Sequence, residues 1–451
     1  MTAGAASAVA QAKPLTVDDA VSLALASDQR IESACWDALA AGEKAAEANQ
    51  RRLPALSVSG SYTRLSDLTS SIAIGPATME IGSMDNLFSF AANMQYPVFA
   101  GFRIQETVKL AELQAESKQI AAEMTKRAVV FETQRAYWEA VRADRNVRLL
   151  EENFTLMKQN RDVTQLQYQQ GTVMNADVLT AQMRCDQAEM DLGNARTSRQ
   201  KAFLSLSVLI ADPADGAQPA DPVARFDLTS DPSDGNAVTA QKTPLLLSGS
   251  GSIDGQSLVG MAFANRPETR ASALALRAAE GSRRLAMAPL YPALNVTGNY
   301  TYADPNSRVY FQSDPWKFTG TWSLGVSLSY DLGGLPANLT ERKAQSDSVK
   351  KSAADEKRQS EVVSLDVRSC LLAYEQTGAD IALVSRLLDQ TRESERVSAE
   401  RLKAGTINQI DFLTSSQARL RSEFAIVNKQ IDLQVAAADL VRAVGLTDGV
   451  K

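Results

Sequence analysis

One segment of this chain is written twice, and that repetition constrains the fold more than any other feature. Residues 168–182 read YQQGTVMNADVLTAQ and residues 402–416 read LKAGTINQIDFLTSS, with Gly171 and Gly405 234 positions apart. The duplication reaches upstream. LPALSVSGSYTR (53–64) matches YPALNVTGNYTY (291–302), and ALASDQRIESA (24–34) matches AFANRPETRAS (262–272), both at an offset of 238. The offset falls from 238 to 234 between the strand-like segments and the Gly-Thr motif, so length changes sit between them, where loops belong. Such a chain has to be built as two copies of one unit.

Within each copy the pattern reads helix, strand, loop, strand, long helix, short turn, helix. The first helix opens at Thr16-Val17-Asp18-Asp19, a capping box with Asp in place of Glu, and is expected to run to about Gln50, ahead of Pro54. The long helix is expected from near Arg103 to Gln169; it meets neither Pro nor Gly until Gly171, which suits a left-handed cap. Its partner begins around Asn175 and ends before Pro213. At 1.5 Å per residue the long helix reaches ~100 Å and each shorter one ~55 Å, so two short helices end to end match one long one. No globular core is that deep, which calls for coiled-coil packing. Val178, Ala181, Cys185, Ala188, Leu192, Ala195, Ala202, Leu206 and Leu209 keep the 3–4 spacing of a seam, broken only at Arg199. Leu413, Leu420, Phe424, Val427 and Ile431 form a second seam in another phase.

Four segments change period from 3.6 to 2, over 55–64, 87–98, 293–302 and 321–331. Leu56, Val58, Gly60 and Tyr62 alternate with serines and a threonine, and Trp322, Leu324, Val326, Leu328 and Tyr330 alternate with Ser, Gly and Asp. One face is apolar and ends in aromatics; the other is small and hydrophilic. A transmembrane barrel reads this way, with lipid outside and water inside, and so does a soluble sheet with one covered face. Aromatic placement and the lack of any other element to cover the apolar face favour the barrel. Four strands cannot close one, and open edges do not occur in lipid. Several chains must then share it; three copies give about twelve strands.

Composition removes other classes. The net charge of −6 calls for no nucleic acid. No run of 18 apolar residues exists, which rules out a membrane-spanning helix but not a barrel. The chain has no histidine, which removes His-based acid–base catalysis and most zinc sites. Cys35, Cys185 and Cys370 lie far apart in helical patterns and read as free thiols, not as a metal cluster. There is no Gly-rich phosphate loop. Neither enzyme, cofactor nor metal is expected. Ala10-Gln11-Ala12 reads as the end of an export signal or as part of an Ala-rich tail.

Taken together, these pieces resemble the TolC-like outer-membrane efflux family, from Leu15 to about Gly445. The carriers are the duplicated plan, the junctions Leu53-Pro54-Ala55-Leu56 and Tyr291-Pro292-Ala293-Leu294, the strand exit Tyr96-Pro97-Val98-Phe99-Ala100-Gly101, and the tips Gly171-Thr172 and Gly405-Thr406. The resemblance implies a mainly α fold with β: a trimeric outer-membrane β-barrel, four strands per chain, continued by a long α-helical coiled-coil barrel across the periplasm. It also implies a passive exit duct in the outer membrane of a Gram-negative-type bacterium. Such a duct sits in outer-membrane lipid as a homotrimer. It docks on a periplasmic adaptor (a membrane fusion protein) and an inner-membrane transporter, for multidrug efflux or type I secretion. The competing reading is a periplasmic coiled-coil adaptor or scaffold without a barrel.

On this plan residues 1–14 are a signal remnant or tail, 15–211 the first repeat, 212–256 a linker at the equator, 257–446 the second repeat and 447–451 a tail. Pro54, Pro292 and Pro97 mark barrel–helix junctions. Gly171, Thr172, Gly405 and Thr406 are turn residues by their chemistry, and the resemblance adds adaptor docking. Asp177 and Asp411 complement a helix dipole; the resemblance places them, with Thr180 and Thr414, at the periplasmic gate, where threefold symmetry gathers ~6 carboxylates into a ring. Some family members carry a second Asp where this chain has Thr180 and Thr414, and an Arg where it has Val173 and Ile407, so fewer latch salt bridges are expected.

Overall fold

The computed structural model describes residues 13–66, 70–74, 77–81, 86–210, 226–228, 255–306 and 317–446. Nearly all of the expected signal remnant, most of the 212–256 linker and the 447–451 tail lie outside the described residues. The first repeat contains β1 (Lys13–Leu15), α1 (Val17–Ser27), α2 (Gln29–Gln50), β2 (Ala55–Arg64), β3 (Ser70–Ile74), β4 (Ala77–Ile81), β5 (Asn86–Ala100), α3 (Arg103–Gln169) and α4 (Asn175–Leu209). After β6 (Phe226–Leu228), the second contains α5 (Gly255–Asn265), α6 (Pro267–Leu285), β7 (Ala293–Asp304), β8 (Thr319–Ser329), α7 (Leu335–Lys403) and α8 (Gln409–Val444).

The helix expected to run from Thr16 to Gln50 is two helices. Its start is as anticipated: Thr16 Oγ1 accepts from the Asp19 N–H at 3.2 Å, and the Asp19 carboxylate accepts from the Thr16 N–H at 3.3 Å. The break falls at Asp28, which leaves the helical region (φ −72°, ψ 114°) and accepts the Arg30 N–H at 2.7 Å, capping the next helix. The second repeat breaks at the matching residue, Arg266, with Pro267 at the first helical position, where a missing N–H is harmless. Two small sheets were not anticipated: β1 pairs in parallel with β6, and β3 with β4 as a hairpin.

The chain divides into two compact units, each drawing on both repeats. One comprises Met1–Cys35, Ile120–Arg270 and Lys357–Lys451. Its core is helical: Trp138 and Tyr137 meet edge to face at 5.6 Å, and Leu15, Leu206, Ile210 and Ile431 pack around them, all buried. The Tyr137 hydroxyl donates to the Leu15 carbonyl at 3.0 Å, which ties β1 to α3. The matching cluster of the second repeat holds Leu258, Val363, Val367 and Leu440. Of the expected seams, Ala181, Cys185, Ala188, Leu192, Leu206, Leu413, Leu420 and Ile431 are buried. An ionic knot closes α8. Arg266 bonds Glu268 and Asp366 and reaches the Ala443 carbonyl, while Arg127 donates to the carbonyls of Asn265 and Gly445. Burial pushes against ionisation of Glu268, but the Arg266 hydrogen bond prevails and holds its carboxyl below the usual range.

The other unit comprises Trp36–Gln119 and Ala271–Glu356 and holds the four-stranded antiparallel sheet, in the order β2-β5-β7-β8. Its register puts Val58 opposite Ala92, Ala92 opposite Tyr300 and Tyr300 opposite Trp322, so the apolar faces of all four strands coincide. Among the described residues that face is open on the edge strands, where Val58 is 77% exposed, Trp322 74% and Leu328 71%, and partly so on the central ones, where Phe90 and Tyr300 are exposed. Aromatics gather at both ends. Tyr62, Phe88, Phe318 and Tyr302 form one chain of rings, and Phe99, Phe102 and Tyr291 form a knot at the other end. On the opposite face Asn299 donates to Asn93 across the ladder at 2.6 Å.

The knot depends on Gly101 (φ 60°), where a side chain would run into the Ala288 backbone. Gly101→Ala is therefore expected to destabilise by ~1–3 kcal/mol, seen as a lower midpoint of thermal unfolding by circular dichroism. Gly42→Ala, inside α2 with open space around it, should instead raise stability by ~0.5–1 kcal/mol.

Candidate functional site: the paired helix turns

The two Gly-Thr turns close with the same bonds. Gly171 (φ 73°) donates to the Tyr168 carbonyl at 2.9 Å and Thr172 N–H to the Gln167 carbonyl at 3.0 Å. Gly405 (φ 71°) donates to Leu402 at 3.0 Å and Thr406 N–H to Arg401 at 2.9 Å. This is the Schellman pattern, which satisfies carbonyls left over at a helix end and demands a left-handed residue. The threonines add a second bond: their hydroxyls donate to the same Gln167 and Arg401 carbonyls, at 2.8 Å and 3.0 Å. A hydroxyl directly after the glycine thus doubles the cap. A Cβ on either glycine would meet nothing within 4 Å, so only the backbone angle requires glycine there.

The next helices begin differently. At Met174, which has no oxygen to offer, the Asp177 carboxylate accepts the Met174 N–H at 3.0 Å. At Asn408 the side chain does the capping, accepting the Asp411 N–H at 2.8 Å. Equivalent aspartates therefore have unequal surroundings: Asp177 is tied to the backbone by its carboxylate, Asp411 by its N–H. Both residues are exposed. Thr180 and Thr414 turn their hydroxyls back onto the Ala176 and Ile410 carbonyls, at 2.9 Å each.

The hairpins also differ in how they hold together beyond the turn. Arg419 of α8 pairs with Glu395 of α7 at 2.6 Å and with Glu423 at 2.5 Å, and Arg392 reaches Glu423. The position equivalent to Arg419 is Cys185, buried with Met157, Ala188 and Leu413 of the other hairpin. Arg161, which stands where the second hairpin has Glu395, turns Nη1 to Cys185 Sγ at 3.9 Å, and the ion pairs that join α4 to α3 lie further along, Arg196–Glu151 at 2.8 Å and Arg199–Asp144 at 3.2 Å. The first tip also exposes Met174 (76%), Leu179 and Met183.

The turn and gate residues singled out in the sequence thus lie together on two hairpin ends: Gly171, Thr172, Asp177 and Thr180 on one, Gly405, Thr406, Asp411 and Thr414 on the other. The three prolines belong to the second compact unit. Pro54 follows the end of α2, Pro292 precedes β7, and Pro97 sits where β5 shifts register against β7. Asn408 and Met174 were missed as capping positions. Asn before a helix was a legible signal; Met was not.

The chain matches the profile of the outer membrane efflux protein family over residues 20–212 and 258–446. It is 25% identical over 356 residues to the outer membrane protein OprJ of Pseudomonas aeruginosa; the alignment covers 76% of this chain and 66% of that protein, just under two thirds of its length. Its fold is similar to the CmeC outer membrane channel of Campylobacter jejuni, with a TM-score of 0.76 and 15% identity over 95% of this chain and 85% of that one. It is also similar to the MtrE outer membrane channel of Neisseria gonorrhoeae in its open state, with a TM-score of 0.73 and 16% identity over 96% and 90%.

Replacing Gly171 and Gly405 by Val should cost ~1–2 kcal/mol per turn, since a β-branched residue resists the left-handed region. The readout is faster amide hydrogen exchange at residues 166–172 and 401–406, with protection unchanged around Trp138.

Proposed function

This chain belongs to the outer membrane efflux protein family, and from that premise we propose that it is a passive exit duct of a tripartite efflux pump. It sits in the outer membrane, carries out no catalysis, and works as a homotrimer docked on a periplasmic adaptor and an inner-membrane transporter. The observation that carries the reading is the four-stranded sheet, which among the described residues has an apolar face open to solvent and two end strands, β2 and β8. Strands of 10 to 15 residues fit the ~9–11 that cross a bilayer with tilt. An unpaired backbone group in hydrocarbon costs several kcal/mol, so an open edge is tolerable only if another copy completes it. Neighbouring strands in the sheet alternate in direction, and β8 runs opposite to β2; joining β8 of one copy to β2 of the next therefore continues the antiparallel pattern to about twelve strands.

The hairpin ends are the gate and docking surface in this reading. Threefold repetition brings Asp177 and Asp411 into a ring of ~6 carboxylates, whose mutual repulsion attracts cations. Thr180 and Thr414, bonded to their own helices, stand where further latching charges would be. Gly171-Thr172 and Gly405-Thr406 present the surface an adaptor's hairpin tips would meet, and Pro54, Pro97 and Pro292 set the turns from helix to strand.

Membrane extraction tests the duct as a whole. The protein should enter only the detergent phase and run as a heat-sensitive trimer, whereas a monomer soluble in plain buffer would sink the proposal. Asp177→Ala with Asp411→Ala should raise single-channel conductance in planar bilayers; an unchanged value would remove the ring from the gate. Gly171→Asn with Gly405→Asn keeps residues that tolerate the left-handed turn. Export lost with the trimer intact identifies a docking surface, and export retained leaves turn chemistry alone.

A further inference from the structure

Within each segment the two repeats align at a fixed offset, yet several equivalent positions differ sharply in exposure. Trp138 is fully buried and its equivalent Leu372 is 65% exposed; Leu413 is 2% exposed and its equivalent Leu179 58%; Ala438 is 4% exposed and its equivalent Leu204 53%. Each mismatch has one sense. In α8, Leu413 packs on Met157, Cys185 and Ala188 of the first repeat, and the cluster around Trp138 of α3 takes in Ile431 of the second; Leu179 and Leu204 of α4 and Leu372 of α7 stay open. The uncovered surfaces are thus the ones an adjoining repeat would cover.

Charges at the helix breaks say which repeat that is. Within the chain, α3 of the first repeat meets the break of the second. Glu123 pairs with Arg270, and Arg127 bonds the Asn265 carbonyl and lines one groove with Pro267, Glu268 and Arg442. Arg442 also lies over the Phe131 ring at 5.2 Å. Carried to the other repeat, at offsets of 234 for the long helices and 238 for the breaks, Glu123 becomes Lys357, Arg127 becomes Glu361, Arg270 becomes Glu32, Glu268 becomes Arg30, Phe131 becomes Leu365 and Arg442 becomes Val208. Every sign is inverted on both sides, so complementarity survives: Lys357 with Glu32, Glu361 with Arg30. The cation–ring contact becomes an apolar pair of two exposed residues, Leu365 at 69% and Val208 at 65%.

The inversion excludes the alternatives. First repeat on first repeat would set Glu123 against Glu32 and Arg127 against Arg30; second on second would set Lys357 against Arg270 and Glu361 against Glu268. Like charges would face each other at every one of these pairs.

We propose that α7 of one copy docks on the α1–α2 break and α4 of the next through Lys357–Glu32, Glu361–Arg30 and Leu365–Val208, a charge pattern that allows only alternating repeats around the assembly. This rests on the homotrimer proposed above. Arg30 already pairs with Asp28 and Glu132 of its own chain, so the partner's Glu361 would be added to a fixed guanidinium.

The test places cysteines at Glu32 and Lys357 in a variant whose three native cysteines are replaced by serine, and treats the detergent-solubilised protein with a short bis-maleimide. A covalent dimer-and-trimer ladder on a denaturing gel, absent from each single-cysteine control, is the expected result. Native trimers without that ladder would overturn the interface and leave the duct standing, while absence of trimers from untreated, unsubstituted protein would overturn both. Independently, Lys357→Glu should lower the temperature at which the trimer dissociates by several degrees, and adding Glu32→Lys should restore it. Losses that simply add would mean that the two side chains do not meet.

Discussion

Backbone groups that cannot find water must find each other, and among the described residues the outer edges of two strands lie outside any ladder. β2 and β8 close the ends of a sheet whose apolar face, among the described residues, is open at Leu56, Val58, Phe90, Tyr300, Trp322 and Leu328. In water an exposed face of this size is an association site, and in hydrocarbon an open edge of ten residues costs on the order of tens of kcal/mol, at several per group. The sheet therefore limits what the protein can be, and in the proposed duct its closure comes from copies of itself.

The helices face a milder version of the same problem. Burying one Leu or Val gains ~1.5–3 kcal/mol, whereas an exposed ion pair contributes ~0–1 kcal/mol. At an interface built from Leu179, Leu204, Leu365 and Leu372, affinity comes from the apolar residues. The charges at the helix breaks are too weak to hold copies together, but they are strong enough to set which face meets which, since a mismatch replaces attraction by repulsion at each pair. The intrachain counterparts behave alike: Trp138 and Leu206 supply the burial, while Arg127 and Arg266 fix where α8 ends.

Much of this was legible in the sequence because the signals are periodic. The strand faces follow from alternation, and the Schellman turns follow from glycine after a long uninterrupted helix. The breaks at Asp28 and Arg266 were not read, because an amphipathic pattern continues across them. A single Asp able to cap the next helix, or a Pro at its first position, ends a helix without disturbing the apolar spacing. β1 and β6 were invisible for another reason: three residues carry no period, and their pairing joins positions more than two hundred residues apart. At the tips, glycine and threonine were found as turn residues, but the doubled bond from each threonine needed the carbonyl positions. The unequal capping of Asp177 and Asp411 depended on what stood three residues earlier, Met174 in one repeat and Asn408 in the other.

Duplication explains why such inequality is tolerated. A chain with two identical repeats would present identical faces, and its long helices would dock equally well within the chain and between chains, in any order. Divergence breaks that degeneracy at small cost, because a pair reversed on both sides keeps its attraction. Reversing Glu123–Arg270 into Lys357–Glu32 keeps each contact favourable while making the two kinds of interface distinguishable. The same logic applies to the hairpin ends. Cys185, facing Arg161, and Arg419, paired with carboxylates of α7 and of its own helix, occupy one structural position with different partners, so the two hairpins are told apart there as well.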